Sequence, residues 1–299
     1  MSLSGVELAM MVAEIAPGAT TRNARPIQGG LATDTFGVDT TAGDFVVKVF
    51  RPDRREGALL EWERLTFAQR AEVPVPEPVA LDADGRWFGA PALVMSRLPG
   101  RGDVRPSNLD RWLRQLAHAL AAIHETNTTG AAGPLLRPGN WGNRELATTV
   151  SGPTSTLVDR VVEAIRQHRP SPDGPSVLLH GDFHPGNIIW SQGTLSGVVD
   201  WSGARLGPRW FDLAYCRADV ALLFGMRGVR RLTEHYVDIV GAAPVDLPVF
   251  DLMCGLAAQR FGTTQWLGAF RHQGCTDSRR QFAARVPPFL RQALAELGA

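Results

Sequence analysis

The densest chemical signal in the chain is HGDFHPGNIIW, His180–Trp190, directly after the apolar VLL. Two histidines, Asp182 and Asn187 fall within it. Close behind, GVVDWSG puts Asp200 at the end of another apolar run. Two carboxylates and an asparagine at strand ends can converge on one metal ion. Oxygen ligands of this kind suit Mg²⁺, which keeps waters and is completed by substrate phosphates. A third signal is Lys48, inside DFVVKVFRP. It is the only lysine among the 31 basic Lys and Arg residues. A compact ammonium is not interchangeable with a planar guanidinium. A cation in a strand that is apolar on both faces is costly unless an anion pairs with it. A lysine behind a glycine turn, an aspartate with an asparagine five residues on, and one further aspartate form a set suited to phosphoryl transfer.

Elements must position these residues. RPIQGG, TDTFGVDT and GDFVVKVF read as strands separated by glycine-containing turns. RREGALLEWERLTFAQRAE has helical spacing, VPVPEPVAL is extended, and GAPALVMSRLPG is a further strand. The first hundred residues thus hold about five strands and one long helix, after a short amphipathic helix at the start. The balance then shifts. NLDRWLRQLAHALAAIHE is a strong amphipathic helix with Asn108 or Ser107 as N-cap, and STLVDRVVEAIRQH is another. Two short strands follow, in SVLLHGDFHPGNIIW and LSGVVDWSGA, and then more helices. The fold class is α+β: a small β-rich lobe, residues 1–95, a hinge at 96–100 and a mostly helical lobe, 101–299.

Composition narrows the classes. Hydrophobic content of 44%, charged content of 20% and a net charge of +1 fit an ordinary globular protein with no general attraction to nucleic acid or membranes. No apolar run reaches the length of a transmembrane helix, and the start lacks a signal-peptide pattern. Cys216, Cys254 and Cys275 are odd in number and widely spaced, so neither a disulfide framework nor a zinc site is expected. A reducing cytoplasm is the default.

LLHGDFHPGNIIW followed by GVVDWSGARLGPRWFDLA resembles the aminoglycoside phosphotransferase-like kinases, the phosphotransferase enzyme family, whose relatives include macrolide, choline and homoserine kinases. Lobe order, the hinge-like LVMSRLPG and the length agree, and the resemblance weakens after about residue 216. It implies a protein-kinase-like two-lobed fold and ATP- and Mg²⁺-dependent transfer of a γ-phosphate to a small-molecule hydroxyl. In that family's terms Asp182 is the catalytic base, Asn187 and Asp200 bind Mg²⁺, and Lys48 contacts the α and β phosphates. The lysine's partner is a glutamate on the next helix. Glu56, Glu61 and Glu63 are candidates, and Glu61 is preferred because Ala58, Leu65 and Ala68 share its face. The turn QGGLATDTF, with Gly30, Thr33 and Asp34, is placed to cover phosphates with backbone N–H groups. Backbone near Ser96 and Leu98 would receive the adenine. His184 sits where protein kinases carry a lysine and would face the γ-phosphate. His180 fixes the loop, and Asp212 caps a helix or braces the loop.

Other readings fit less well. GDFHPGN contains a metallophosphatase-like fragment, but the further metal motifs are missing. A non-catalytic nucleotide-binding kinase fold commonly loses the base or a metal ligand, and all are present here. A protein kinase would carry Phe-Gly after Asp200 and an activation segment. Residues 217–299 carry ten arginines against seven acidic residues, which tilts against a polycationic aminoglycoside as acceptor. Asp219, Glu234, Asp238 and Asp277 are candidate ligand-facing carboxylates, and Trp210, Phe261, Trp266 and Phe270 a candidate apolar wall.

Overall fold

The computed structural model describes residues 3–27, 33–131, 133–135, 155–168, 170 and 176–298. The chain opens with α1 (Gly5–Ile15), started by a capping box in which Ser4 Oγ accepts from Glu7 N–H and Glu7 accepts from Ser4 N–H. Five strands follow: β1 (Thr21–Pro26), β2 (Asp34–Thr40), β3 (Asp44–Val49), β4 (Pro78–Asp82) and β5 (Ala92–Ser96), with α2 (Arg55–Ala68) between β3 and β4. They form one antiparallel sheet in the order β1-β2-β3-β5-β4.

The two-residue period of β3 explains why its sequence is apolar on both sides. Phe45, Val47 and Val49 face one way, into a cluster with Leu8, Met11 and Val12 of α1. Val46 and Phe50 face the other way, into the cluster that holds Ala58, Leu65 and Ala68 of α2. Lys48 shares this second face. On α2, Ala58, Glu61, Leu65 and Ala68 are all buried, so the glutamate rides on the packed stripe of the helix.

The second lobe begins with α3 (Leu109–His124), N-capped by Asn108, whose side chain accepts from Arg111 N–H at 2.9 Å. Next comes α4 (Thr156–Gln167), capped by Ser155. Four short strands then replace the two expected: β6 (Ser176–Leu179), β7 (Ile188–Ser191), β8 (Thr194–Val198) and β9 (Arg205–Pro208). β6 pairs with β9 and β7 with β8, both antiparallel. The helices α5 (Trp210–Val240), α6 (Leu247–Phe261), α7 (Leu267–His272), α8 (Arg279–Ala283) and α9 (Val286–Leu297) complete the lobe, with a π turn at Gly262–Trp266. α5 kinks at Gly225, where φ is 67°. Among the described residues no helix is long and apolar enough to cross a membrane.

The lobes meet at Gly100, which has φ 116° and runs directly against the Trp190 carbonyl, where any side chain would collide. Beside it, Arg101 and Trp190 exchange backbone hydrogen bonds of 3.0 and 2.8 Å.

Candidate active site

The β7–β8 hairpin brings two of the sequence-predicted residues together. Ile188 pairs with Val198, and Val199 N–H donates to the Asn187 carbonyl at 2.9 Å. Asn187 and Asp200 therefore sit at the open end of one ladder. Asp200 has φ 64°, a left-handed backbone that aspartate tolerates better than most residues.

From the other lobe, Lys48 reaches this point. Its Nζ donates to Glu61 Oε1 at 2.5 Å and to Asp200 Oδ1 at 2.9 Å. The Lys48 and Glu61 side chains are 12% and 7% exposed, and that of Asp200 is 36% exposed. Burial disfavours the lysine's charge, but Asp200 and Glu61 together hold the ammonium pKa above its ordinary value. Burial likewise raises Asp200, and Lys48 more than reverses this, drawing it down to about 2. For Glu61 burial wins, and its pKa is raised despite the lysine. Of the three glutamates considered for α2, the structure pairs Glu61 with Lys48. One turn on, Arg64 donates to the Ser202 carbonyl just past Asp200.

The loop between β6 and β7 holds Asp182. The Asn187 amide donates to both the Asp182 carbonyl and its Oδ2, each at 3.0 Å. With its nitrogen so occupied, Asn187 keeps its side-chain oxygen as the remaining ligand atom. The Tyr215 hydroxyl lies near the Asp182 carboxylate, and burial first, then the negative charges of Asp182 and Asp219, raise the phenol pKa well above normal. His180 is fully buried. Its Nε2 faces the Val199 carbonyl at 3.0 Å and its Nδ1 accepts from Asp182 N–H at 3.3 Å. One neutral tautomer satisfies both contacts, in keeping with burial lowering the imidazole pKa. Asp212, at the start of α5, accepts from the His180 and Gly181 N–H groups at 2.7 and 3.0 Å. It braces the loop. Gly181, with φ 80°, lies against Gly203, and a side chain at 181 would strike the Gly203 carbonyl. The Asp182 loop and the turn after Asp200 thus touch through bare backbone.

Other expected residues fall as follows. Thr33 flanks β2, its hydroxyl 3.4 Å from that of Thr35. Gly30 lies outside the described residues. Ser96 N–H is taken by the Glu77 carbonyl at 2.9 Å, whereas the Leu98 backbone makes no hydrogen bond among the described residues. His184 lies 3.1 Å from Asp219 by Nδ1 and 3.8 Å from Asp182 by Nε2. The candidate acceptor-facing groups are not gathered. Asp219 is buried behind His184, Glu234 pairs with Arg231, Asp277 pairs with Arg285, and Asp238 lies exposed. Trp210 packs on Tyr236 in the core, Phe261 is exposed, and only Phe270 has its ring against His184. Sequence reasoning missed Tyr215, because a tyrosine in an amphipathic helix carries no catalytic signature.

Among the described residues no group of three His, Cys, Asp or Glu side chains is arranged to hold a metal on its own. Asn187 and Asp200 would instead offer one amide oxygen and one carboxylate. Such a set fits Mg²⁺, which takes few protein oxygens when phosphates supply the rest.

Residues 23–252 match the phosphotransferase enzyme family. The chain belongs to that family. The match runs well past residue 216. The chain is 26% identical over 221 residues to the homoserine kinase of Polaromonas naphthalenivorans, covering 66% of this chain and 65% of that one. With the homoserine kinase of Rhizobium meliloti it shares 27% identity over 243 residues, 71% of this chain and 72% of that one. It spans only 26% of a longer relative from Arabidopsis thaliana, at 25% identity over 218 residues. Its fold is that of the macrolide 2'-phosphotransferase MphH from Brachybacterium faecium, with a TM-score of 0.65 at 19% identity over 94% of this chain and 97% of that one. It is also that of a thermostable mutant of aminoglycoside phosphotransferase APH(4)-Ia, solved with AMP-PNP and hygromycin B. The TM-score there is 0.66 at 17% identity, over 97% of this chain and 98% of that one. The architecture is protein-kinase-like.

Proposed function

We propose that the chain is an ATP- and Mg²⁺-dependent phosphotransferase that moves a γ-phosphoryl group to a hydroxyl of a small molecule. The observation that carries this reading is the meeting of Lys48, from the sheet lobe, with Asp200, beside Asn187 and Asp182 of the helical lobe. The nucleotide-binding lobe is 1–95, the hinge 96–100, and the catalytic and acceptor lobe 101–299.

In this reading Lys48, held by Glu61, binds the α and β phosphates. Gly30 and Thr33 lie in the turn over them, Ser96 and Leu98 receive the adenine, and His184 faces the γ-phosphate. Leu98 has backbone groups to spare; Ser96 has only its carbonyl to offer. Asn187 and Asp200 hold Mg²⁺, which neutralises phosphate charge when bound. Asp182 accepts the acceptor's hydroxyl proton as the oxygen attacks phosphorus and the bond to ADP breaks. Asn187 aims the carboxylate, so positioning and charge neutralisation supply most of the acceleration.

The acceptor is an antibiotic or a metabolite. The relatives named for homoserine, and the folds solved with hygromycin B or named for macrolides, define what to test. The carboxylates that a polycation would need are paired or dispersed, which favours a weakly charged acceptor. The three cysteines are free, buried thiols, compatible with a reducing cytoplasm. The test is a mass-spectrometric screen with Mg·ATP and pooled amino alcohols, homoserine, sugars, macrolides and aminoglycosides, with Asp182→Asn as the blank. A phosphorylated product from the wild type alone is the expected result. Mg·ATP binding without any product would point instead to a kinase fold kept for nucleotide binding.

A further inference from the structure

One face of α5 follows the Asp182 loop point by point. Asp212, Tyr215 and Asp219 are spaced three and four residues apart, so they project from the same side of the helix. Asp212 takes the backbone at His180 and Gly181, and Tyr215 lies near the Asp182 carboxylate. Asp219 takes the ring of His184. The first braces the loop that carries the base, and the second places a ring beside the base. The third has no role in the reading above.

Asp219 has a side chain only 5% exposed, and its Oδ1 is buried with no partner among the described residues, so its contact with His184 is what compensates its burial. At His184 Nδ1 two neighbours compete, both at 3.1 Å. Gly186 N–H asks for a lone pair, and Asp219 Oδ2 asks for a proton. The charges around the ring decide between them. Asp219 lies at one nitrogen and Asp182 at the other, with Asp200 further off, and the remaining neighbours Tyr215 and Phe270 are uncharged rings. A proton on Nδ1 therefore goes to Asp219, and the Nε2 edge is left toward Asp182.

We infer that Asp219 is a positioning residue, which fixes the His184 imidazole by Nδ1 so that its Nε2 edge faces the carboxylate of Asp182. The inference deepens the phosphotransferase reading and rests on it for the role of Asp182. Burial raises the Asp219 pKa, and His184 is the group that opposes this, so each member of the pair depends on the other for its charge.

The test has two readouts. The first is ¹⁵N NMR of the histidine rings at fixed pH, with His184 assigned by His184→Gln. Wild type should carry hydrogen on Nδ1, and Asp219→Asn should lose it. Asp219→Glu, which keeps the carboxylate, should retain it and serves where Asn folds poorly. An unchanged ring signal in Asp219→Asn overturns the inference. The second readout is steady-state ADP release from Mg·ATP. Asp219→Asn should lower kcat about 10- to 100-fold with little change in KM for ATP. The double variant with His184→Gln should be no slower than either single one. Multiplying losses would show that Asp219 does not act through His184, and a rise in KM with kcat unchanged would place the pair in nucleotide binding. If ADP release instead proves insensitive to Asp182→Asn, the function reading fails, and the ring spectra still decide the Asp219–His184 contact.

Discussion

Replacing Lys48 with methionine removes the ammonium that bridges two carboxylates. Asp200 is the more exposed of the two and can stay charged. Glu61 cannot do so cheaply, because burial already raises its pKa even with the lysine present. Its least costly response is to take up a proton. From an ordinary value of 4.5, each pH unit above that costs about 1.4 kcal/mol. Because wild-type Glu61 already carries part of this cost, the loss is at most about 4 kcal/mol at pH 7.5 and at most about 1.4 kcal/mol at pH 5.5, and the upper figure agrees with the ~3–5 kcal/mol for breaking a buried pair. The sign follows from linkage. In the variant the folded-state pKa of Glu61 lies above its unfolded value, so stability is retained at low pH and lost as pH rises above 4.5. Urea unfolding of wild type and Lys48→Met at both pH values measures the difference, expected to shrink on acidification by up to about 2.7 kcal/mol. Adding Glu61→Leu should restore most of the loss, since an apolar pair can replace a buried ionic one. An equal cost at both pH values, or no recovery in the double variant, would refute the placement of the charge.

Asp182→Asn should abolish phosphoryl transfer while leaving Mg·ATP affinity, read by calorimetry, within about twofold. Lys48→Arg keeps the charge but cannot fit a planar fork between Glu61 and Asp200, so kcat/KM should fall by at least about tenfold in the transfer assay. Gly181→Ala meets the Gly203 carbonyl from a left-handed backbone; a loss of ~1–3 kcal/mol in urea unfolding, with a larger fall in activity, is expected. Burial lowers the His184 pKa, but Asp182 and Asp219 raise it to about 9. A raised folded-state pKa gives stability that is full below about 6.5 and lost as pH rises through 9, so thermal melts should drop across that window and flatten in His184→Gln. Activity should fall over the same range, and an unchanged pH–rate profile in His184→Gln would remove the ring from the γ-phosphate site.

The parts of the site legible in the sequence were those tied to local pattern. HGDFHPGN and GVVDWSG are short, and hairpin pairing brings their ends together, so Asn187 and Asp200 could be matched without a structure. Glu61 could be chosen because a helix buries one face and its neighbours on that face are Ala58, Leu65 and Ala68. The strands β6 and β9 were harder. RLGP is four residues with a glycine and a proline, and only its pairing with SVLL makes it a strand. Tyr215 and Asp219 depend on the docking of α5 against a loop about thirty residues earlier in the chain, and no periodicity encodes which helix face docks where. The expected acceptor wall failed for the same reason. Trp210, Phe261, Trp266 and Phe270 are aromatic, but the tertiary packing sends Trp210 to the core and Phe261 to the surface.

The solitary lysine has a practical consequence. A protease that cuts only after lysine has one target in the whole chain, the Lys48–Val49 bond. That bond lies in β3, which is paired on one side with β2 and on the other with β5. Cleavage therefore requires the sheet to open, and its rate reports the stability of the sheet lobe apart from that of the helices. A single cut yields two fragments of fixed size, so the gel is read as one band becoming two. Protection by Mg·ATP on that gel would measure nucleotide binding without any need for an acceptor.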